Sequence, residues 1–179
     1  ALIRGNVEVE WEVVACIDRG KVRGWGGLRV AGLCVGADDY QYMKKLNNAA
    51  RDAGCIHKKL QSIPGCHSIL VTSANFMKSG DLLKVIRKCL RDPELQRYPP
   101  ELLWFYYAGH GIQLGDKVYL VPCGADIEEV DDVEQKGVTL REAIANVSDA
   151  LTSLAKDQQA IVIGAPNAIP ADFCFQPKK

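Results

Sequence analysis

The chain has 179 residues, 47% of them hydrophobic, enough to bury one sizeable core, so a single domain is the simplest expectation. Twenty-two basic side chains balance twenty-two acidic ones with no basic cluster, which removes the electrostatic reason to expect nucleic acid or an anionic membrane as a partner. No apolar run approaches the roughly 18 to 20 residues of a spanning helix, no signal-peptide layout opens the chain, and seven scattered cysteines without a CxxC pair suit reduced thiols in a cytoplasmic protein better than a disulfide scaffold or structural zinc site.

Val7 to Val13 alternates as a half-exposed strand does, and Asp18-Arg19-Gly20-Lys21 supplies a turn before Val22 to Trp25. Residues 1–27 are therefore expected to form an amino-terminal β-hairpin, which either covers a sheet edge or ends a preceding domain; residues 28–179 form the main unit. Leu28 to Gly36 is a β-rich run closed by glycine and followed by a turn at Ala37-Asp38-Asp39. Leu46 to Leu60 then places Leu46, Ala49, Ala50, Ala53, Ile56 and Leu60 at helical spacing. Ser68 to Thr72 reads as a second strand. Ser79-Gly80-Asp81 opens a second helix carrying Leu82, Leu83, Val85, Ile86 and Leu90, which should stop before Pro93.

Leu102 to Ala108 is too uniformly apolar and aromatic for a half-exposed strand and suggests the centre of a sheet covered on both faces. It ends abruptly in Gly109-His110-Gly111. Glycines on both sides are expected to let the backbone turn sharply and to leave the imidazole at the sheet's carboxyl end, where ligands gather in open α/β folds. From these residues alone, His110 is either a chemical group or a strand cap. Lys117 to Val121 gives a short extra strand. Thr139 to Ala155 makes a third helix, with Thr139 as cap and Glu142 three residues on, and Ala160 to Ile163 makes the fourth main strand. Repeated strand, helix, strand units imply a parallel sheet with helices on both faces. Val35-Gly36-Ala37-Asp38 lacks the glycine pattern of a phosphate loop, so a nucleotide-binding domain is disfavoured.

The order Val30 to Gly36, Tyr40, Leu46, Asp52-Ala53, then Trp104 to Gly111 with its YAGHG, then Tyr119-Leu120-Val121-Pro122 and Asp126, resembles the large-subunit half of the caspase-like cysteine peptidases (peptidase C14). Within that superfamily it is more similar to paracaspases and metacaspases than to animal caspases. The resemblance runs from about Leu28 to Ile163 and implies a three-layer α/β fold with a mainly parallel sheet. It also implies a cysteine thiolate nucleophile just past the fourth strand, with the histidine of the HG motif as its acid/base partner. His110 stands at the acid/base position. The caspase histidine precedes the cysteine by about 50 residues, which leads to the end of the run Ala160 to Asn167. Where the family carries Asp-x-Cys, this chain reads Gly164-Ala165-Pro166, so the nucleophile position is vacant. Proline has neither a thiol nor a backbone N–H, and can neither attack a carbonyl nor serve as an oxyanion donor.

Asp172-Phe173-Cys174 repeats the Asp-x-Cys spacing eight residues late, which makes Cys174 the alternative nucleophile. Against it, Ile169-Pro170-Ala171 is a poor sequence for a central strand. In paracaspases and metacaspases two aspartates line the pocket for a basic substrate side chain. Asp52 matches the first and Gly164 replaces the second, which would remove half the pocket's charge; Asp52 equally suits the dipole of an early helical turn. No cofactor is expected. The acidic segment Asp126 to Glu134 raises calcium, as in metacaspases, against the alternative of a solvated loop.

The resemblance further implies two strands and helices beyond the nucleophile strand, whereas the sequence ends Phe173 to Lys179. That half is a separate chain, is missing from this sequence, or is replaced by the amino-terminal hairpin, and an uncovered sheet edge would invite pairing with another chain. Two functions follow. One is a pseudoprotease that keeps the fold for binding or regulation, partnered by a complementary small-subunit segment or an active homologous protease. The other is a cysteine endopeptidase cleaving after Arg or Lys, with Cys174 and His110.

Overall fold

The computed structural model describes residues 12–16, 29–72, 79–154, 160–165 and 169–170. In chain order these form β1 (Glu12–Cys16), β2 (Val30–Gly36), α1 (Ala49–Gln61), β3 (Cys66–Thr72), α2 (Ser79–Cys89), α3 (Pro93–Arg97), β4 (Leu102–Ala108), β5 (Gly111–Leu114), β6 (Lys117–Leu120), α4 (Val130–Lys136), β7 (Val138–Thr139), α5 (Leu140–Leu154), β8 (Ala160–Ala165) and β9 (Ile169–Pro170). The main sheet has the order β1-β8-β4-β2-β3. Its β8, β4, β2 and β3 are all parallel, with Val30 opposite both Cys66 and Leu102, and Leu102 opposite Ala160. The expected four-stranded parallel arrangement is what forms, with His110 directly beyond the carboxyl end of β4.

Two-residue alternation along the strands sorts the core into two faces. On one, Ala31, Leu33 and Val35 of β2 and Leu103, Phe105 and Tyr107 of β4 join Leu82 and Ile86 of α2 and Ala143 and Val147 of α5. On the other, Cys34, Tyr106 and Ala108 meet Ala49, Ala53 and Leu60 of α1. Helices thus cover both faces in three layers, which explains why β2 and β4 are apolar throughout rather than alternating. Each fully buried large side chain in this set, such as Leu33, Phe105 or Leu82, contributes about 1.5–3 kcal/mol.

The capping reading of α5 holds. Thr139 N–H and Oγ1 donate to Glu142 Oε2 at 2.9 and 2.7 Å, and Glu142 N–H returns a 3.1 Å bond to Thr139 Oγ1. Other boundaries shift. Helix α1 begins at Ala49 rather than Leu46, because the preceding loop is held down by Leu46 N–H donating to Asp38 O at 3.0 Å. The acidic stretch is not simply a loop: Val130–Lys136 is helical, and Asp132 Oδ2 accepts the Glu128 and Glu129 amides at 2.9 and 3.1 Å. The described amino-terminal strand is Glu12–Cys16, which overlaps the end of the expected Val7 to Val13 strand, whose first five residues lie outside the described residues, and it joins the main sheet antiparallel to β8 with Glu12 opposite Ala165 and Cys16 opposite Ile161. The remainder of the expected hairpin, including Val22 to Trp25, lies outside the described residues. Among the described residues no helix is long and apolar enough to cross a membrane.

A second small sheet, in the order β7-β6-β5-β9, starts at His110. There the chain leaves β4 and enters β5, which pairs antiparallel with β6 and parallel with β9, Ile112 opposite Ile169 and Gln113 opposite Pro170.

Candidate active site

A parallel sheet delivers the loops after all its strands to one end, and among the described residues the segments following β2 and β4 meet around His110. The loop after β2 supplies most of its surroundings. Ala37 N–H donates to Ala108 O at 2.7 Å, tying that loop to the end of β4. Asp38 Oδ2 accepts from Ala50 N–H at 3.3 Å and so anchors the first turn of α1. Helix α1 rests so closely on the end of β2 that a Cβ at Gly36 would lie 2.6 Å from Ala50 Cα, which is why that strand closes on glycine.

Tyr40, from the same loop, is fully buried and lies against the imidazole with ring centroids 4.4 Å apart. Its hydroxyl accepts the His110 backbone N–H at 2.7 Å and lies 3.3 Å from Tyr107 Oη and 3.2 Å from the Val121 carbonyl oxygen. Tyr107 in turn donates to Val121 O at 3.0 Å, and Val121 N–H closes the loop on His110 O at 3.0 Å. Every polar group of this buried cluster therefore has a partner, as burial requires. Burial raises both phenols well above the ordinary tyrosine range, so both are neutral donors.

This cluster revises the account of Gly109. Its φ is not positive; what demands glycine is proximity, because a Cβ there would lie 2.6 Å from Tyr107 Oη and 2.7 Å from Tyr40 Oη.

His110 Nε2 lies 2.7 Å from the Lys44 carbonyl oxygen. A carbonyl only accepts, so Nε2 carries the proton and Nδ1 is left with its lone pair. Burial holds the imidazole pKa below its ordinary value, partly offset by the Lys44 carbonyl bond, so the ring is neutral at pH 7. A neutral imidazole with a fixed tautomer is what a general base needs.

The other sequence-derived positions divide. Gly164 is the penultimate residue of β8 and lies opposite Tyr106 of β4. Asp52 sits in the first turn of α1, 44% exposed, with Arg51 Nε at 3.7 Å. Burial first, and the Asp52 charge second, push the Tyr106 phenol up to about 12, so Asp52 and Gly164 both neighbour Tyr106. Pro166 and Cys174 lie outside the described residues. Of the described thiols, Cys34 and Cys123 are buried in the core, and burial raises Cys34 to about 11, the opposite of an activated nucleophile. In the acidic segment, Asp132 pairs with Lys136 Nζ at 2.5 Å, and with the two backbone amides this holds its carboxyl down at about 2. Among the described residues no group of three or more His, Cys, Asp or Glu is arranged to hold a metal ion.

The Lys44 and Val121 carbonyls carry no side-chain signal and were invisible in the sequence. Tyr40 and Tyr107 were visible as residues that carry the resemblance, but not as the hydroxyl cluster beneath His110.

This arrangement, a histidine at the carboxyl end of a central parallel strand in a three-layer α/β sandwich, agrees with the family comparison, in which the caspase-domain model of peptidase C14 matches residues 29–167. The chain belongs to the caspase domain family. No curated protein matches it.

Proposed function

We propose that this chain is a pseudoprotease, a caspase-like domain that has kept its fold for binding and regulation and lacks a nucleophile of its own. One observation carries the reading: His110 is held neutral in the acid/base setting, while β8 runs through Gly164-Ala165 into Pro166. An imidazole with no thiol beside it has nothing to deprotonate, and proline supplies neither a nucleophile nor an oxyanion donor.

The pocket reading points the same way. Asp52 alone offers one carboxylate, itself shared with Arg51, where a basic substrate side chain would be gripped by two. The partner would be a protein: complementary strands of the small-subunit kind or an active relative. Cytoplasmic location remains part of the proposal.

The competing reading, an endopeptidase acting after Arg or Lys through Cys174, is weakened by β9. The chain leading to Cys174 pairs with β5 of the second sheet, and from Ile169 to Pro170 it advances from Ile112 to Gln113, away from His110. The test is turnover of peptides with Arg, Lys or Asp before the scissile bond, with and without calcium, for the native chain beside His110→Ala and Cys174→Ala. Equal background rates support the pseudoprotease. Turnover lost in both variants establishes the displaced nucleophile.

A further inference from the structure

The family match begins at residue 29, yet the main sheet has a strand from before it. Strand β1, Glu12–Cys16, lies on the open side of β8 along its whole length, with Val13 opposite Gly164, Val14 opposite Ile163 and Ala15 opposite Val162. The caspase-domain part of the sheet, β8-β4-β2-β3, thus has its β8 edge occupied by an extension that is not part of that domain. Without β1, one side of Ala160–Ala165 would present a row of unpaired backbone donors and acceptors on an Ile- and Val-rich strand, the arrangement that most readily recruits another strand.

The strand seated there defines what the edge accepts: an extended segment with a β-branched, apolar centre, entering antiparallel, in the register that sets residue 14 against residue 163. Each copy of this chain carries that segment. Residues 17–28, which join β1 to the domain, hold four glycines and span up to about 40 Å when extended, enough to reach a neighbouring molecule. Because among the described residues β1 pairs with β8 alone, moving it to another copy's β8 exchanges that set of ladder bonds for an identical one.

We propose that the β8 edge is a strand-acceptor site, filled by β1 of the same chain in the monomer and by β1 of a second copy in a strand-exchanged dimer. The assignment stands independently of whether His110 has a nucleophile, since it concerns backbone pairing on the far side of β8.

The experiment uses full-length chains. Residues directly opposite on antiparallel strands have Cα atoms about 4.5–5.5 Å apart, within disulfide range. Val14→Cys chains mixed with Ile163→Cys chains under mild oxidation should yield a covalent dimer joined through residues 14 and 163, identified by peptide mapping. A single chain carrying both substitutions should close internally when dilute. Internal closure without any cross-linking in the concentrated mixture would overturn the exchange, and failure of both would overturn the position of β1. Should a cysteine variant not fold, a labelled peptide of residues 8–18 added to the native chain gives the second reading. Saturable binding, at least about tenfold weaker than to a chain whose β1 is broken by Val13→Pro/Val14→Pro, supports the site; no binding to either refutes it.

Discussion

Replacing Tyr40 by Phe removes one hydroxyl and keeps the ring against His110. The consequence follows from who else can serve its partners. Tyr107 and Val121 O retain each other at 3.0 Å, so the group left without a partner is the His110 backbone N–H, which has Tyr40 Oη at 2.7 Å. An orphaned buried donor costs about 1–3 kcal/mol, so a loss near 2 kcal/mol is expected. For a chain of this length it corresponds to a fall in Tm of about 4–8 °C. Tyr107→Phe makes the informative comparison: Val121 O keeps Tyr40 at 3.2 Å, and no N–H is orphaned. Its cost should be about 1 kcal/mol, and the double variant should cost less than the two singles combined, because the hydroxyls share partners. Urea unfolding of the four proteins measures all three quantities. Tyr107→Phe equal to or costlier than Tyr40→Phe, or a Tyr40→Phe loss within about 0.5 kcal/mol of zero, would refute the hydrogen-bond assignment.

Burial lowers the His110 pKa below the unfolded value, so the unfolded chain binds more protons below about pH 6.5. The stability His110 contributes is therefore complete above that pH and is lost as pH falls through the lower, folded pKa. His110→Gln should flatten stability against pH in that window, and an imidazole proton resonance of His110 titrating above 6.5 would reverse the sign. Gly109→Ala should destabilise by about 1–3 kcal/mol in thermal melts, since the new methyl lands on two buried phenol oxygens; a neutral effect would contradict the packing beneath the HG turn. Gly164→Asp with Pro166→Cys should make residue 166 react with iodoacetamide at a pH at least about one unit lower than in a His110→Ala background. Matching labelling profiles in the two backgrounds would separate residue 166 from His110.

Much of the parallel core was legible because its strands are buried on both faces. Leu102 to Ala108 announces itself by continuous apolarity, and the Thr139/Glu142 pair marks the start of α5 by capping chemistry alone. Short pieces were not legible. Strands β5, β7 and β9 have two to four residues each and are stabilised by pairing with neighbouring strands rather than by their own patterns. Val130–Lys136 concealed a helix because its acidic residues cap it through backbone amides, a role indistinguishable from solvation in sequence. At the site, His110 stood out between its glycines, but the reason for Gly109 is steric crowding by Tyr107, two residues before it, together with Tyr40, far off in the sequence, a meeting that no local motif encodes. The Lys44 carbonyl that fixes the imidazole tautomer belongs to a loop whose path depends on Asp38 and Ala108.

The central claim is that a histidine positioned for acid/base work has no thiol to act on. The most direct measurement is covalent labelling of the native chain by a peptidyl electrophile carrying Arg at the position before its reactive carbonyl, with the modified residue located by mass spectrometry and the rate compared with His110→Ala. The account predicts slow, His110-independent labelling spread over exposed thiols such as Cys55. Rapid labelling of Cys174 alone, lost in His110→Ala, would contradict it.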